Sequence, residues 1–158
     1  MKILLIIGPM FSGKSTRLIG EIEKNILADK HCLIIRHSID TRTPEGVLKT
    51  HGGVVFNNCS VIKENILSNL LNFIISNNIN IIAIDEGQFF ESVDFLNFID
   101  KCRLLQFVKK IYISGLNGDF KREPFDTISK LIPLCNDIIY LSSICSICKK
   151  KAYFSKRL

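Results

Sequence analysis

Eight consecutive residues, Gly8-Pro9-Met10-Phe11-Ser12-Gly13-Lys14-Ser15, carry the spacing G-x-x-x-x-G-K-S. A loop of this composition holds phosphate. Gly8 and Gly13 let backbone N–H groups turn inward and approach phosphate oxygens closely. Lys14 has the reach to meet the outer phosphates, and the Ser15 hydroxyl is suited to ligate Mg²⁺. Pro9, Met10, Phe11 and Ser12 complete the stretch expected to wrap the phosphates of a nucleotide. A second stretch, Asp85-Glu86-Gly87-Gln88-Phe89-Phe90, pairs two carboxylates. One is expected to hold Mg²⁺, and its neighbour, outside the metal shell, is a candidate general base for a hydroxyl nucleophile. The alternative is a capping pair for the following helix. Phe89 and Phe90 stack on a ligand ring or belong to the core. A third group is Cys145-Ser146-Ile147-Cys148. Two thiolates at this spacing grip one Zn²⁺, but a closed structural site needs four ligands. The spacing supplies half a zinc site, and a thioredoxin-like dithiol is the weaker alternative.

The elements needed to position these groups are legible around them. The apolar run Ile3–Ile7 reads as a core strand leading into the phosphate loop. A helix starts near Lys14, with Leu18, Ile19, Ile22 and Ile26 at helical spacing, and ends near Asp29-Lys30. Such a helix start adds free N–H groups and the positive end of its dipole. Residues 32–35 form a buried parallel strand. Residues 37–53 lack periodicity and hold Pro44, Gly46, Gly52 and Gly53, as a functional loop would. Within it Asp40-Thr41-Arg42 offers a cation, and Arg42 reads either as phosphate-neutralising or as a surface arginine. Short strands are expected at residues 54–56 and 61–62, and a helix over residues 64–76. A third strand over residues 79–84 ends at Asp85. Side chains alternate along a strand, so Asp85 and Glu86 are expected to face different spaces. A helix over residues 93–107, a strand at residues 111–113, a loop over residues 115–125, a short helix stopped by Pro133 and a last strand at residues 138–141 complete the series. This alternation gives an α/β fold, a parallel sheet with helices on both faces.

The 158 residues suffice for one domain with a real core. The net charge of +6 raises polyanion binding. The cations are scattered except for Lys149-Lys150-Lys151 and Lys156-Arg157, so nucleic acid is not expected as a partner. No apolar run reaches membrane-spanning length, and no leader is recognised, so a cytoplasmic chain with no membrane partner is expected. Cys32, Cys59, Cys102 and Cys135 read as reduced packing residues. His31, His37 and His51 are the first candidates for any further zinc ligand.

The chain resembles the type II thymidine kinases of bacteria, animals and large DNA viruses. The resemblance rests on residues 6–15, Asp40-Thr41-Arg42, residues 84–90, residues 115–125, Leu131-Ile132-Pro133-Leu134, Cys145-x-x-Cys148 and residues 153–158. It implies ATP-dependent phosphorylation of the thymidine 5′-hydroxyl with Mg²⁺, in a RecA-like P-loop NTPase domain assembled as a homotetramer. It implies Glu86 as general base, Lys14 and Arg42 at the phosphates, and Asp85 with Ser15 on the metal. Gly87 and Gln88 then join the nucleotide-binding stretch, and Met10, Phe89, Leu116, Phe120 and Ser155 surround the nucleoside. It further implies a P-loop kinase domain over residues 1–143 and the start of a small zinc-ribbon subdomain with a lasso loop over residues 144–158. Asn117 stands where relatives commonly have Asp. The second cysteine pair and the lasso are expected beyond Leu158, with ATP·Mg²⁺ binding retained and thymidine phosphorylation impaired without them. A P-loop ATP-binding protein without kinase activity, either a pseudoenzyme or a nucleic-acid-remodelling ATPase, is the alternative function.

Overall fold

The computed structural model describes residues 1–40, 46–49 and 55–157. Seven strands form one sheet: β1 (Lys2–Gly8), β2 (Cys32–Arg36), β3 (Gly46–Lys49), β4 (Val55–Lys63), β5 (Ile81–Asp85), β6 (Lys110–Leu116) and β7 (Asp137–Tyr140). The order is β3-β4-β2-β5-β6-β1-β7. All neighbours run parallel except β3, which is antiparallel to β4. The expected parallel sheet is therefore present, with one antiparallel edge.

Strand parity sorts the side chains into two cores. On one face Ile3, Leu5, Leu33, Ile35, Ile82, Ile84, Ile111 and Ile113 are buried. They pack under α2 (Leu71–Ser76), α3 (Ser92–Leu104) and α4 (Asp126–Leu131). From α3 come Phe95, Phe98, Ile99 and Cys102, all fully buried. Burying each large apolar side chain stabilises the fold by roughly 1.5–3 kcal/mol, and Phe98→Ala would cost about 3–5 kcal/mol. The opposite face, with Ile6, Ile34, Ile81, Ala83 and Tyr112, is covered by α1 (Lys14–Leu27) through Leu18, Ile22 and Ile26. Helices thus lie on both faces.

Local chemistry moved several boundaries. The helix expected over residues 64–76 begins only at Leu67, as a 3₁₀ turn (Leu67–Leu70) leading into α2. The Glu64 carboxylate accepts the N–H groups of Asn65 and Ile66, closing a turn there. The Asp94 carboxylate of α3 then accepts the N–H groups of Leu67 and Ser68 and sets the helical start. The two short strands expected at residues 54–56 and 61–62 are one strand, β4, because parallel pairing with β2 runs from Cys59 to Lys63. β3 lies within the segment read as a loop. A hairpin, β8 (Ser143–Ile144) and β9 (Lys151–Ala152), forms a separate two-stranded sheet around Cys145 and Cys148.

Candidate active site

Register brings three polar side chains to the carboxyl edge of the sheet on the α1 face. Asp85 ends β5 with the parity of Ile81 and Ala83, and pairs across β2 with Arg36. Ser114 lies in the buried run of β6 with the parity of Tyr112. The start of α1 lies on the same face. The Ser15 hydroxyl donates to Asp85 Oδ1 at 3.0 Å. The Ser114 hydroxyl also donates to Oδ1, and the Glu86 N–H does so at 3.1 Å. Arg36 Nε stands 3.9 Å from Asp85 Oδ2, both side chains being buried. The carboxylate is thus held from several sides with the P-loop hydroxyl against it. Two adjacent oxygen ligands, a hydroxyl and a carboxylate, are a donor set that fits Mg²⁺.

The phosphate loop has the geometry its glycines require. Gly13 caps α1 at φ 81°, where a side chain would be strained. A Cβ at Gly8 would come within 2.6 Å of the Leu141 carbonyl oxygen and 2.7 Å of Ser12 Oγ. Lys14 is buried and donates from Nζ to the Pro9 carbonyl at 2.8 Å. The N-terminus of α1 has no side-chain cap and no acid in its first turn. α3 is finished differently: the Glu91 carboxylate caps it, accepting from Asp94 N–H, and the N–H groups of Val93 and Asp94 hold that carboxyl below its usual range. One helix start carries its own carboxylate, and the other is left to an external anion.

Glu86 departs from the expectation in cause, though not in separation from Asp85. The pleat does not divide the two carboxylates, because β5 ends at Asp85 and Glu86 adopts φ 54°, ψ 48°. A left-handed residue at this point turns the chain into a 3₁₀ turn, Gly87–Phe89. Glu86 then lines a cavity of about 560 Å³ together with Met10, Phe11, Ser12, Gly13, Lys14, Ser15, Gln88, Phe89 and Leu116. That volume suits a small ligand. Ile39 and Asp40 also line it. Of the two phenylalanines, Phe89 is 44% exposed at the cavity, whereas Phe90 is 2% exposed and packs edge-on against Phe95. Phe90 is core.

The remaining expected site residues lie around this cavity or apart from it. Ser155 Oγ accepts the Met10 N–H at 3.0 Å, tying the C-terminal segment to the phosphate loop. Ser143 Oγ donates to the Phe11 carbonyl at 3.2 Å, a second tie. Asn117 Nδ2 donates to the Tyr140 hydroxyl and to the Tyr153 carbonyl. Phe120 is outside the cavity lining and carries Arg157 over its ring at 5.6 Å. Arg42 and His51 lie outside the described residues. Cys145 and Cys148 flank the turn of the β8–β9 hairpin. The N–H groups of Cys148 and Ile147 and the Cys148 side chain hold the Cys145 thiol below its ordinary range. Among the described residues no group of three or more His, Cys, Asp or Glu is arranged around a common metal position. The knuckle alone fits two zinc ligands. Arg36 and Ser114 were not singled out from sequence, and His37 was named only as a candidate zinc ligand. The first two had a readable signal, a polar residue closing an apolar strand. The ring of His37 packs 5.1 Å from that of Phe90 and 6.0 Å from that of Phe89, a contact that only the fold creates.

Comparison with known proteins decides among the chemistries this edge allows. The family profile described as thymidine kinase matches residues 1–158. The chain belongs to the thymidine kinase family. It is 44% identical to the thymidine kinase of Choristoneura biennis entomopoxvirus, covering 99% of this chain and 83% of that protein. Identity to the thymidine kinase of Amsacta moorei entomopoxvirus is 45%, covering 98% and 84%. For the vaccinia virus (strain Western Reserve) thymidine kinase it is 40%, covering 99% and 82%. Among solved structures, the Legionella pneumophila ATPase DotB superposes with a TM-score of 0.53 at 13% identity, covering 96% of this chain and 43% of that one. That likeness is one of fold and supports the α/β architecture. Thymidine kinases are phosphotransferases with an alcohol acceptor, and the chain carries that function; the family implies ATP as donor with Mg²⁺.

Proposed function

We propose the following division of labour for ATP-dependent phosphorylation of the thymidine 5′-hydroxyl. The observation that carries it is the junction at Asp85 and Glu86: one carboxylate is held against the P-loop serine, and the next, itself in the left-handed region, lines the cavity that this serine also lines. The backbone of residues 8–15 and the open start of α1 receive the phosphates. Lys14 leaves the Pro9 carbonyl for the outer phosphates. Ser15 and Asp85 would hold Mg²⁺, which when bound would supply positive charge that offsets that of the phosphates. Glu86 takes the proton of the 5′-hydroxyl as that oxygen attacks the γ-phosphorus and ADP leaves. Gly87 and Gln88 belong to this junction, and Arg42 adds phosphate charge neutralisation. Met10, Phe89 and Leu116 wall the nucleoside, with Phe120 and Ser155 at its rim.

The hairpin that follows β7 forms its own sheet, which supports a division into a kinase domain over residues 1–143 and a small subdomain over residues 144–158. Cys145 and Cys148 supply two zinc ligands there. A homotetramer in the cytoplasm is part of this reading. No helix among the described residues is long and apolar enough to cross a membrane.

The experiment is product analysis with labelled ATP, with and without thymidine. Thymidine monophosphate formed in step with ADP supports the reading. ADP release indifferent to thymidine would replace it with a plain ATPase.

A further inference from the structure

Gln88 is 8% exposed, and both ends of its amide are engaged. Its Nε2 donates to Glu86 Oε2 at 2.6 Å. Its Oε1 accepts the Leu116 N–H at 3.1 Å. The orientation of the amide follows from chemistry, since a backbone N–H can only donate and a carboxylate can only accept. Gly115 makes room for it: a Cβ there would stand 3.2 Å from Gln88 Oε1. Leu116 and Phe89, which flank this amide in space and in sequence, both line the cavity. A continuous chain therefore runs from the cavity wall, through the Leu116 N–H and the Gln88 amide, to the carboxylate of Glu86.

We propose that Gln88 is a positioning residue that holds the Glu86 carboxylate and ties its orientation to the Leu116 wall of the nucleoside cavity. The inference rests on the reading of Glu86 as general base. Glu86 occupies a left-handed backbone position and has a long side chain with several rotatable bonds, so its backbone alone does not fix where its oxygens point. A base must stand within about 2.6–3.2 Å of the proton it takes, in the right direction. A neutral amide donor fixes the carboxylate plane at less cost to its basicity than a cation would. With both amide ends engaged within the protein, Gln88 gains a role beside the nucleotide-binding one that the resemblance implies.

The test is a double-mutant cycle on the full chain, reading single-turnover phosphoryl transfer and ATP·Mg²⁺ affinity. Gln88→Leu removes both hydrogen bonds. Gln88→Glu keeps the acceptor for Leu116 but loses the donor to Glu86, and it decides the matter if the leucine variant does not fold. Each variant should slow transfer by about 10²-fold, the scale of a misplacement of roughly 1 Å, while the ATP affinity stays unchanged. In a Glu86→Gln background the same changes should cost less than about threefold, because a positioning residue has nothing left to position. Equal losses in both backgrounds, or an unchanged transfer rate in the single variants, would overturn the inference. The underlying reading fails separately: it is lost if Glu86→Gln alone transfers at the parent rate.

Discussion

The cavity has two halves, built by different means. The proposed phosphate half comes from one contiguous stretch, residues 11–15, with the strand end Asp85 behind it and bonded to Ser15. The nucleoside half is assembled from Met10, Phe89 and Leu116, which belong to three separate segments, with Ser155 and Ser143 bonded to the phosphate loop from further along. Backbone geometry does most of the work in the first half, and side-chain packing in the second. The two should therefore fail differently. A change in the phosphate half should impair ATP binding and turnover together, whereas a change in the nucleoside half should impair thymidine alone.

The largest separation is expected at Lys14. Lys14→Ala removes the buried ammonium proposed to meet the phosphates, and turnover should fall by about 10²–10³-fold with a parallel loss of ATP affinity. Calorimetry with ATP·Mg²⁺ beside steady-state rates measures both. Retained ATP affinity would break the comparison, because the phosphate half would then not depend on its own cation.

A smaller effect is expected across the cavity. Phe89→Ala removes an exposed ring without disturbing Phe90, which fills the core behind it. An aromatic contact beyond its area is worth about 0.5–1.5 kcal/mol, or roughly two- to tenfold in affinity. The KM for thymidine should rise by about that factor while the KM for ATP holds. Equal rises in both would join the halves that the geometry separates.

The smallest effect at neutral pH concerns the thiols beneath both halves. Burial pushes the Cys32, Cys59 and Cys102 thiols up from the ordinary 9.0 to about 12. The thiolate is the reacting form, so at pH 8 these three should resist alkylation in the native state. Peptide mapping after iodoacetamide should find label at the exposed Cys148 before any of them. The neutral thiols favour the folded state fully below pH 9, and that contribution is lost as pH rises from 9 towards 12. Base-induced unfolding in that window should therefore release them together.

These contrasts also explain what could be read from the sequence. The phosphate half was legible because its residue types are dictated by a local backbone and a fixed spacing. The sheet was legible because buried parallel strands read as apolar runs. Glu86 could be named as a candidate base from its neighbour Asp85, but its placement does not follow from the pleat, since a left-handed residue there cannot be inferred from strand alternation. The helix start at Leu67 depends on Asp94 reaching from α3, a tertiary contact with no local signal. The same holds for Gln88, whose partners lie two and 28 positions away. Arg36 and Ser114 needed the register between β2, β5 and β6 before their role beside Asp85 could be seen.

The central claim is that the two halves meet at Glu86 and that this carboxylate serves the chemistry rather than the binding of either substrate. The most direct measurement is single-turnover transfer by Glu86→Gln, with ATP·Mg²⁺ and thymidine affinities taken on the same protein. The account expects both affinities within about threefold of the parent and a transfer rate lowered by about 10²–10⁴-fold, the usual worth of a general base. A transfer rate near the parent value, or a loss of ATP affinity that accounts for the slower turnover, would contradict it.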